Sequence, residues 1–177
     1  MQHSLIRFLI ISCLFWPVVP SIAEEASLDT LFEQLKTAPD DSSARDYVNE
    51  IWRAWFKSGD SKVDELMQEA MRERRSYNYD AAVNILDEVI ALKPDYAEGY
   101  NQRATVYFLQ QSYEKSLIDV AKTLELEPRH FGALSGRAVI RLRQHKPALA
   151  VQNLLKAIEI HPFLPERVLL EQINLGI

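Results

Sequence analysis

Ala91-Leu92-Lys93-Pro94-Asp95 is the first of three matching segments that decide the fold of this chain; the others are Glu125-Leu126-Glu127-Pro128-Arg129 and Glu159-Ile160-His161-Pro162-Phe163. Their prolines are 34 residues apart. A fixed internal period of this length is typical of stacked helix pairs. We therefore expect an all-α chain whose units pack side by side, and stacks of this kind commonly work as binding surfaces.

Small and apolar residues recur with the same period. Small side chains at two positions of each unit would let the paired helices approach to about 8–10 Å. The proline would end each second helix, because it lacks an N–H and disfavours a helical conformation in the residue before it. The recurring residues are Ala70, Ala104 and Ala138 in the first helices, Ala82, Ser116 and Ala150 in the second, and Leu86, Val120 and Leu154 behind them.

This pattern resembles the tetratricopeptide repeat family, whose 34-residue unit carries a small residue at position 8, alanine at 20 and proline at 32. The resemblance implies a helical-hairpin solenoid of three repeats. The repeat region is residues 61–164, with repeats at 63–96, 97–130 and 131–164. The chain departs from the family pattern at Leu66 and Leu134, where a large aromatic residue is usual, and at Pro147, which replaces a helix-opening tyrosine.

Capping helices are expected on both sides of the repeats. Residues 24–60 lack the repeat period but predict a helical hairpin, whose second helix has an apolar stripe with Trp52 and Trp55. We expect this stripe to cover the exposed edge of repeat one, since solenoid ends need a cover. A ligand-stacking platform and a membrane-facing surface are the alternatives. Residues 165–177 predict a C-terminal capping helix with the apolar residues Val168, Leu169 and Ile173.

The N-terminus resembles a secretory signal peptide over residues 1–23. Arg7 precedes an apolar run of about a dozen residues, and Ala23 offers a processing site. The run is shorter than the ~20 residues that cross a bilayer, so we expect no stable membrane span after its removal. An uncleaved anchor, or lipidation at Cys13, is the alternative. We expect export to the bacterial periplasm, and a eukaryotic secretory route stays open.

Composition and motifs argue against catalysis and nucleic-acid binding. The formal net charge is −5 at pH 7, whereas duplex binding normally needs a basic face. The chain has no Gly-rich phosphate loop, no G-x-S-x-G elbow and no histidine pair at metal-ligand spacing. We therefore predict no enzyme, no catalytic or metal residues and no cofactor. His130 and His161 lie at repeat junctions, where we expect solvated turn histidines.

The family resemblance implies a concave groove lined by the first helix of each repeat. An alternative role, ordinary packing between helices, is open for three of the apolar residues predicted to line it: Phe108, Leu109 and Leu142. The second residues of the three repeats, Asp64, Glu98 and Gly132, also face such a groove in the family. The predicted partner-binding residues are Met67, Met71, Arg74, Arg75, Asn101, Thr105, Phe108, Leu109, Ser135, Val139, Leu142 and Arg143.

The partner expected in this groove is a protein or peptide segment with acidic or mixed acidic and apolar character, because arginines concentrate in the first helix of repeat three. Pairing of these arginines with neighbouring helices is the alternative. Co-chaperone members of the family hold a C-terminal carboxylate with a clamp of lysine, asparagine and arginine. The five clamp positions here carry Met67, Met71, Gln102, Gly132 and Gly136, so we predict no such clamp.

These expectations converge on a non-catalytic protein–protein interaction module, a scaffold or assembly factor of the bacterial cell envelope that holds a partner segment in its groove. An accessory or regulatory subunit of an envelope enzyme complex is the alternative. A hydrolase or metalloenzyme hidden in the helical body is a third reading.

Overall fold

The computed structural model describes residues 27–174, which contain nine α-helices and one 3-10 turn. No helix in this range is both long and apolar enough to cross a bilayer. The predicted signal peptide and Cys13 lie outside the described residues. The helices are α1 Leu28–Lys36, α2 Asp41–Phe56, α3 Ser61–Arg75, α4 Tyr79–Leu92, α5 Ala97–Leu109, α6 Tyr113–Leu126, α7 Phe131–Arg143, α8 Pro147–Ile160 and, after the 3-10 turn Pro165–Arg167, α9 Val168–Asn174.

Three helix pairs, α3/α4, α5/α6 and α7/α8, form the predicted all-α solenoid. The second helix of each pair ends two residues before its proline, at Leu92, Leu126 and Ile160. The recurring small residues are buried where the paired helices meet. In the middle pair, the Ser116 hydroxyl donates a 2.7 Å hydrogen bond to the Ala104 carbonyl oxygen. The small residues therefore set the close approach that the period predicts.

The turn inside each pair also repeats with the 34-residue period. Tyr77, Gln111 and His145 adopt positive φ angles of 63°, 59° and 56°. In the first pair the Asn78 N–H bonds to the Glu73 carbonyl at 2.9 Å, which is the long bond of a Schellman motif. The left-handed residue costs roughly 1–2 kcal/mol when it is not glycine. Each turn reverses the chain at once, so that the second helix packs on the first.

The N-terminal hairpin α1/α2 packs mainly on the third repeat. The expectation that its apolar stripe covers the edge of repeat one is wrong for both tryptophans, whereas Phe56 at the end of α2 does pack against the cluster of repeat one. Trp52 and Trp55 contact Phe131, the first residue of α7. The Asp29 carboxylate accepts a 2.6 Å hydrogen bond from Arg129 in the loop before α7. One buried cluster joins the hairpin to the third repeat and its C-terminal side: Leu31, Phe32, Leu35, Ala44, Ile51, Trp55, Phe131, Leu134, Ala157 and Leu164.

The physical reason lies in the surface available at the start of α7. Phe131, Leu134 and Leu164 are apolar and belong to the same buried cluster as the hairpin residues. Gly132 has no side chain, which leaves room for the Trp52 ring. Burial of apolar area contributes roughly 25 cal/mol per Å², so packing of the two tryptophans against these residues stabilises the hairpin in this place.

The C-terminal helix α9 packs on the end of the solenoid. Leu169 and Ile173 lie against the buried cluster of Ala138, Ala150 and Leu154. Val168, the third apolar residue predicted for this helix, is 52% exposed. It is the first residue of α9 and follows the 3-10 turn directly, whereas Leu169 and Ile173 share a face four residues apart.

Candidate functional site

A buried carboxylate organises the start of α5. The Glu98 side chain is 1% exposed. It accepts hydrogen bonds from the side-chain amides of Asn101 at 3.1 Å and Gln102 at 2.5 Å. His130 Nε2 lies 3.0 Å from its second oxygen. Three donors therefore satisfy Glu98, and it is unavailable to a partner, although the family pattern predicts a groove-facing residue here.

His130 is the N-cap of α7, and its tautomer follows from its contacts. The Ala133 backbone N–H donates a 3.1 Å hydrogen bond to Nδ1, so Nδ1 carries no proton. Nε2 therefore carries the proton and donates it to Glu98. Trp55 stacks on the imidazole with a centroid distance of 4.0 Å and an interplanar angle of 7°. The ring thus connects the hairpin, α5 and α7.

The prediction of solvated junction histidines is wrong at both positions. His130 is fully buried and His161 is 6% exposed. The hairpin covers both histidines, and no local sequence pattern indicates that placement. Burial, together with the positive charge of Arg167, lowers the pKa of His161 to about 4, while Asp41 acts in the opposite direction.

A cavity of about 280 Å³, which we call the central cavity, opens between α5, α6 and α7. It brings together five of the predicted partner-binding residues, from two different repeats. Many of its lining residues are glycine, alanine or serine, and Glu166 of the 3-10 turn is its one charged lining residue among the residues described. The five predicted residues are Asn101, Thr105, Phe108, Ser135 and Val139.

A second cavity of about 380 Å³, the hairpin cavity, lies between α2, the start of α7 and the segment after α8. Its walls are largely aromatic and aliphatic, from Val48, Trp52 and Phe163 among others. Both cavities share three lining residues, Gly132, Ser135 and Glu166. They adjoin along this ridge, and we call the two cavities together the trough. Its hairpin wall is not predictable from the sequence, because no local pattern places α2 beside α7.

The predicted residues on α3 lie outside the trough. Met67 is 2% exposed and packs in the core with Val63 and Leu66, so its assignment to a partner-binding surface is wrong. Its side chain packs between the paired helices of repeat one. The family pattern assigns this position to the groove and does not distinguish the two placements. Met71 is half-buried and does not line either cavity.

The predicted residues at the ends of α5 and α7 lie beside the trough. Leu109 and Arg143 line a shallow depression with Phe108, which also reaches the central cavity. Leu142 packs beside the cluster of Ala138, Ala150 and Leu154, so ordinary packing accounts for it. Leu109 is 42% exposed and is free to contact a partner.

Most of the expected arginines are engaged within the protein. Arg74 donates a 2.6 Å hydrogen bond to Gln102, and burial, followed by the nearby Arg75, lowers its pKa. Arg75 and Arg143 are exposed, and within residues 27–174 neither makes a hydrogen bond or ion pair. In the third repeat, Arg129 bonds to Glu127 and Asp29, Arg137 to Asn153, and Arg141 to Gln144.

Comparisons with known proteins agree with this architecture. No family model matches the chain. A tetratricopeptide repeat-containing protein of Rhizobium etli is 41% identical over 155 residues, covering 88% of this chain and 75% of the relative. The first tetratricopeptide domain of Spaghetti (RPAP3), solved with an HSP90 peptide, superposes with a TM-score of 0.62 at 20% identity, over 66% of this chain and 94% of that one.

A crystal structure of MamA has a TM-score of 0.53 at 20% identity, over 75% of this chain and 77% of that one. At such identity the solved structures show the fold, whereas the Rhizobium etli relative is similar in sequence over most of both chains. Together with the helix pairs and their 34-residue period, that likeness settles the family. The chain belongs to the tetratricopeptide repeat family.

Proposed function

We propose that the protein is a non-catalytic interaction module that holds a segment of a partner protein in the trough. The main support is the central cavity. Five predicted groove residues from α5 and α7 line this cavity, which has a volume of about 280 Å³. An apolar cavity of roughly 150 Å³ accommodates a benzene ring, so this one has room for a large apolar side chain. A partner side chain buried there would anchor the segment.

The peptide complex of the related fold supports this use of the surface. The Spaghetti domain is solved with an HSP90 peptide, so a solenoid of this fold can hold a peptide segment. The present chain has methionine, glutamine and glycine at the positions of the co-chaperone carboxylate clamp. Its partner is therefore of another kind, recognised by apolar contacts and side-chain charges instead of by a free carboxylate.

Part of the partner segment carries acidic groups. Arg75 and Arg143 stand at the C-terminal ends of first helices, exposed and without a bonded acid among the residues described. Arg143 lies beside Leu109 and Phe108, so an acidic group there would sit next to the apolar anchor. Such pairs add specificity more than affinity when they remain solvated.

The place of action is the bacterial cell envelope, where the protein serves as a scaffold or assembly factor. The supporting feature is the N-terminal sequence, with Arg7, an apolar run and Ala23 in the order of a secretory signal. The related protein of Rhizobium etli is consistent with a bacterial setting.

A capture experiment tests the proposal. The tagged protein is incubated with separate envelope and cytosolic fractions, and bound proteins are identified by mass spectrometry. Val139→Arg places a long cation in the central cavity, and Leu155→Arg makes the same change on an exposed position of α8. We expect an envelope protein that is retained by the wild type and by Leu155→Arg but lost from Val139→Arg. Equal retention by both variants would contradict the trough assignment.

A further inference from the structure

The second residue of each repeat follows a pattern that extends beyond the third repeat. Asp64, Glu98, Gly132 and Glu166 are spaced by 34 residues. The first three belong to α3, α5 and α7, and Glu166 stands in the 3-10 turn that follows the third repeat. Three of the four positions are therefore carboxylates at equivalent places along the solenoid.

The first two carboxylates are satisfied by donors of the chain itself. Asp64 accepts hydrogen bonds from the backbone N–H of Ser58 at 2.9 Å and from its hydroxyl at 2.6 Å. Glu98 accepts from two side-chain amides and from His130. A partly or fully buried carboxylate needs such donors, because its desolvation is otherwise uncompensated.

The third position is filled by the hairpin. A Cβ atom built on Gly132 would lie 2.8 Å from Trp52 Cη2, so the indole ring occupies the space of a side chain. In the first three units, the second residue is therefore in contact with another part of the same protein. The fourth position differs.

Glu166 has no such partner. Within residues 27–174, its carboxylate accepts no hydrogen bond and forms no ion pair, although the side chain is partly buried. It lines the central cavity and the hairpin cavity at their shared ridge. Asp41 and Arg45, which also line the hairpin cavity, form an ion pair with each other. Among the described lining residues of the trough, Glu166 is thus the charge left unpaired.

We propose that Glu166 binds a cationic group of the partner segment, a lysine ammonium, an arginine guanidinium or a free amino terminus. Apolar groups next to this cation fill the two cavities on either side of the ridge. The inference rests on the proposed function and specifies the chemistry of its partner. The segment is of mixed charge, with its cation at Glu166 and its acidic groups towards Arg143.

Energetics favour this arrangement. A cation at the ridge would donate a hydrogen bond to the Glu166 carboxylate. Ser58 fills the same role for Asp64, and His130 fills it for Glu98. Hydrogen bonds between ionised partners are shorter and about twice as strong as neutral ones. The cavity walls exclude part of the solvent, which reduces the screening of the pair. The contact therefore selects for a cation more strongly than an exposed pair would.

A peptide selection tests the inference with the full chain. A random-peptide library is selected on the wild-type protein, and the affinities of the enriched peptides are measured by calorimetry. The variants are Glu166→Gln, which keeps the shape, and Glu171→Gln, which makes the same charge change on an exposed position of α9. Val139→Arg reports on the central cavity, and circular dichroism verifies that every variant is folded.

We expect the selected peptides to combine a lysine, arginine or free amino terminus with apolar residues. Their affinity should fall about tenfold for Glu166→Gln and stay unchanged for Glu171→Gln. Peptides without a cation, or equal affinity for both glutamine variants, would overturn the Glu166 assignment. If binding still depends on Val139, the proposed function survives that result. Selection of no peptide, or binding insensitive to Val139→Arg, would overturn the proposed function and this inference with it.

Discussion

The indole of Trp55 stacks on the imidazole of His130, with ring centroids 4.0 Å apart and planes inclined by 7°. The two residues belong to the hairpin and to the N-cap of α7, and the same imidazole donates to the buried Glu98. One aromatic contact therefore couples a segment outside the repeats to the start of two repeat helices. The hairpin is consequently part of the folded body that forms the trough.

Removal of the stacked ring should destabilise the protein strongly. We expect Trp55→Ala to lower the free energy of unfolding by about 3–5 kcal/mol, because a large buried aromatic side chain is lost and a cavity remains. Ile118→Ala removes an exposed apolar side chain from α6 and should change it by less than about 0.5 kcal/mol. Urea titration followed by circular dichroism measures both. Similar midpoints for the two variants would show that the hairpin contributes little.

Two glycines of α7 should respond in opposite directions to alanine. A Cβ at Gly132 would collide with Trp52, whereas one at Gly136 meets nothing within 4 Å. We expect Gly132→Ala to lower the free energy of unfolding by about 1 kcal/mol through overpacking. Gly136→Ala should raise it by about 0.5–1 kcal/mol, since alanine favours the helix. Thermal unfolding distinguishes them, and stabilisation by both would contradict the close Trp52 contact.

The buried Glu98 network predicts a large effect from a single carboxylate. Glu98→Ala leaves the amides of Asn101 and Gln102 and the His130 Nε2–H without their acceptor, so we expect a loss of about 3 kcal/mol in unfolding free energy. Glu88→Ala, at an exposed position of α4, is the control and should be nearly neutral. Chemical denaturation measures both variants. A loss below about 1 kcal/mol for Glu98→Ala would argue against a buried, fully bonded carboxylate.

His161 should make the stability depend on pH. Its pKa is about 4 in the folded protein and 6.5 when unperturbed, so the unfolded chain binds the proton first as the pH falls. The free energy of unfolding should therefore decrease from pH 6.5 towards pH 4, and the contribution is intact above that window. His161→Gln cannot titrate and should show a shallower decrease. Parallel pH profiles for the two proteins would refute the buried neutral histidine.

Local sequence patterns predicted much of the solenoid but only part of the site. The period located the helix pairs and their ends, and five groove positions on α5 and α7 do meet in the central cavity. Met67 fell in the core, because helical register alone does not separate a groove-facing apolar residue from one that packs between helices. Glu166 lies outside the predicted groove because it stands after the third repeat, in a 3-10 turn instead of a repeat helix.

The sequence by itself determined the fold family and the position of each repeat, since proline, small residues and apolar spacing act within a single unit. Only the tertiary structure decided where the hairpin packs, which histidines are buried and which carboxylate stays unpaired. Those outcomes depend on contacts between distant residues, such as Asp29 with Arg129, 100 positions apart. Such contacts arise from matching surface shape and apolar area, and no periodic signal in the chain encodes them.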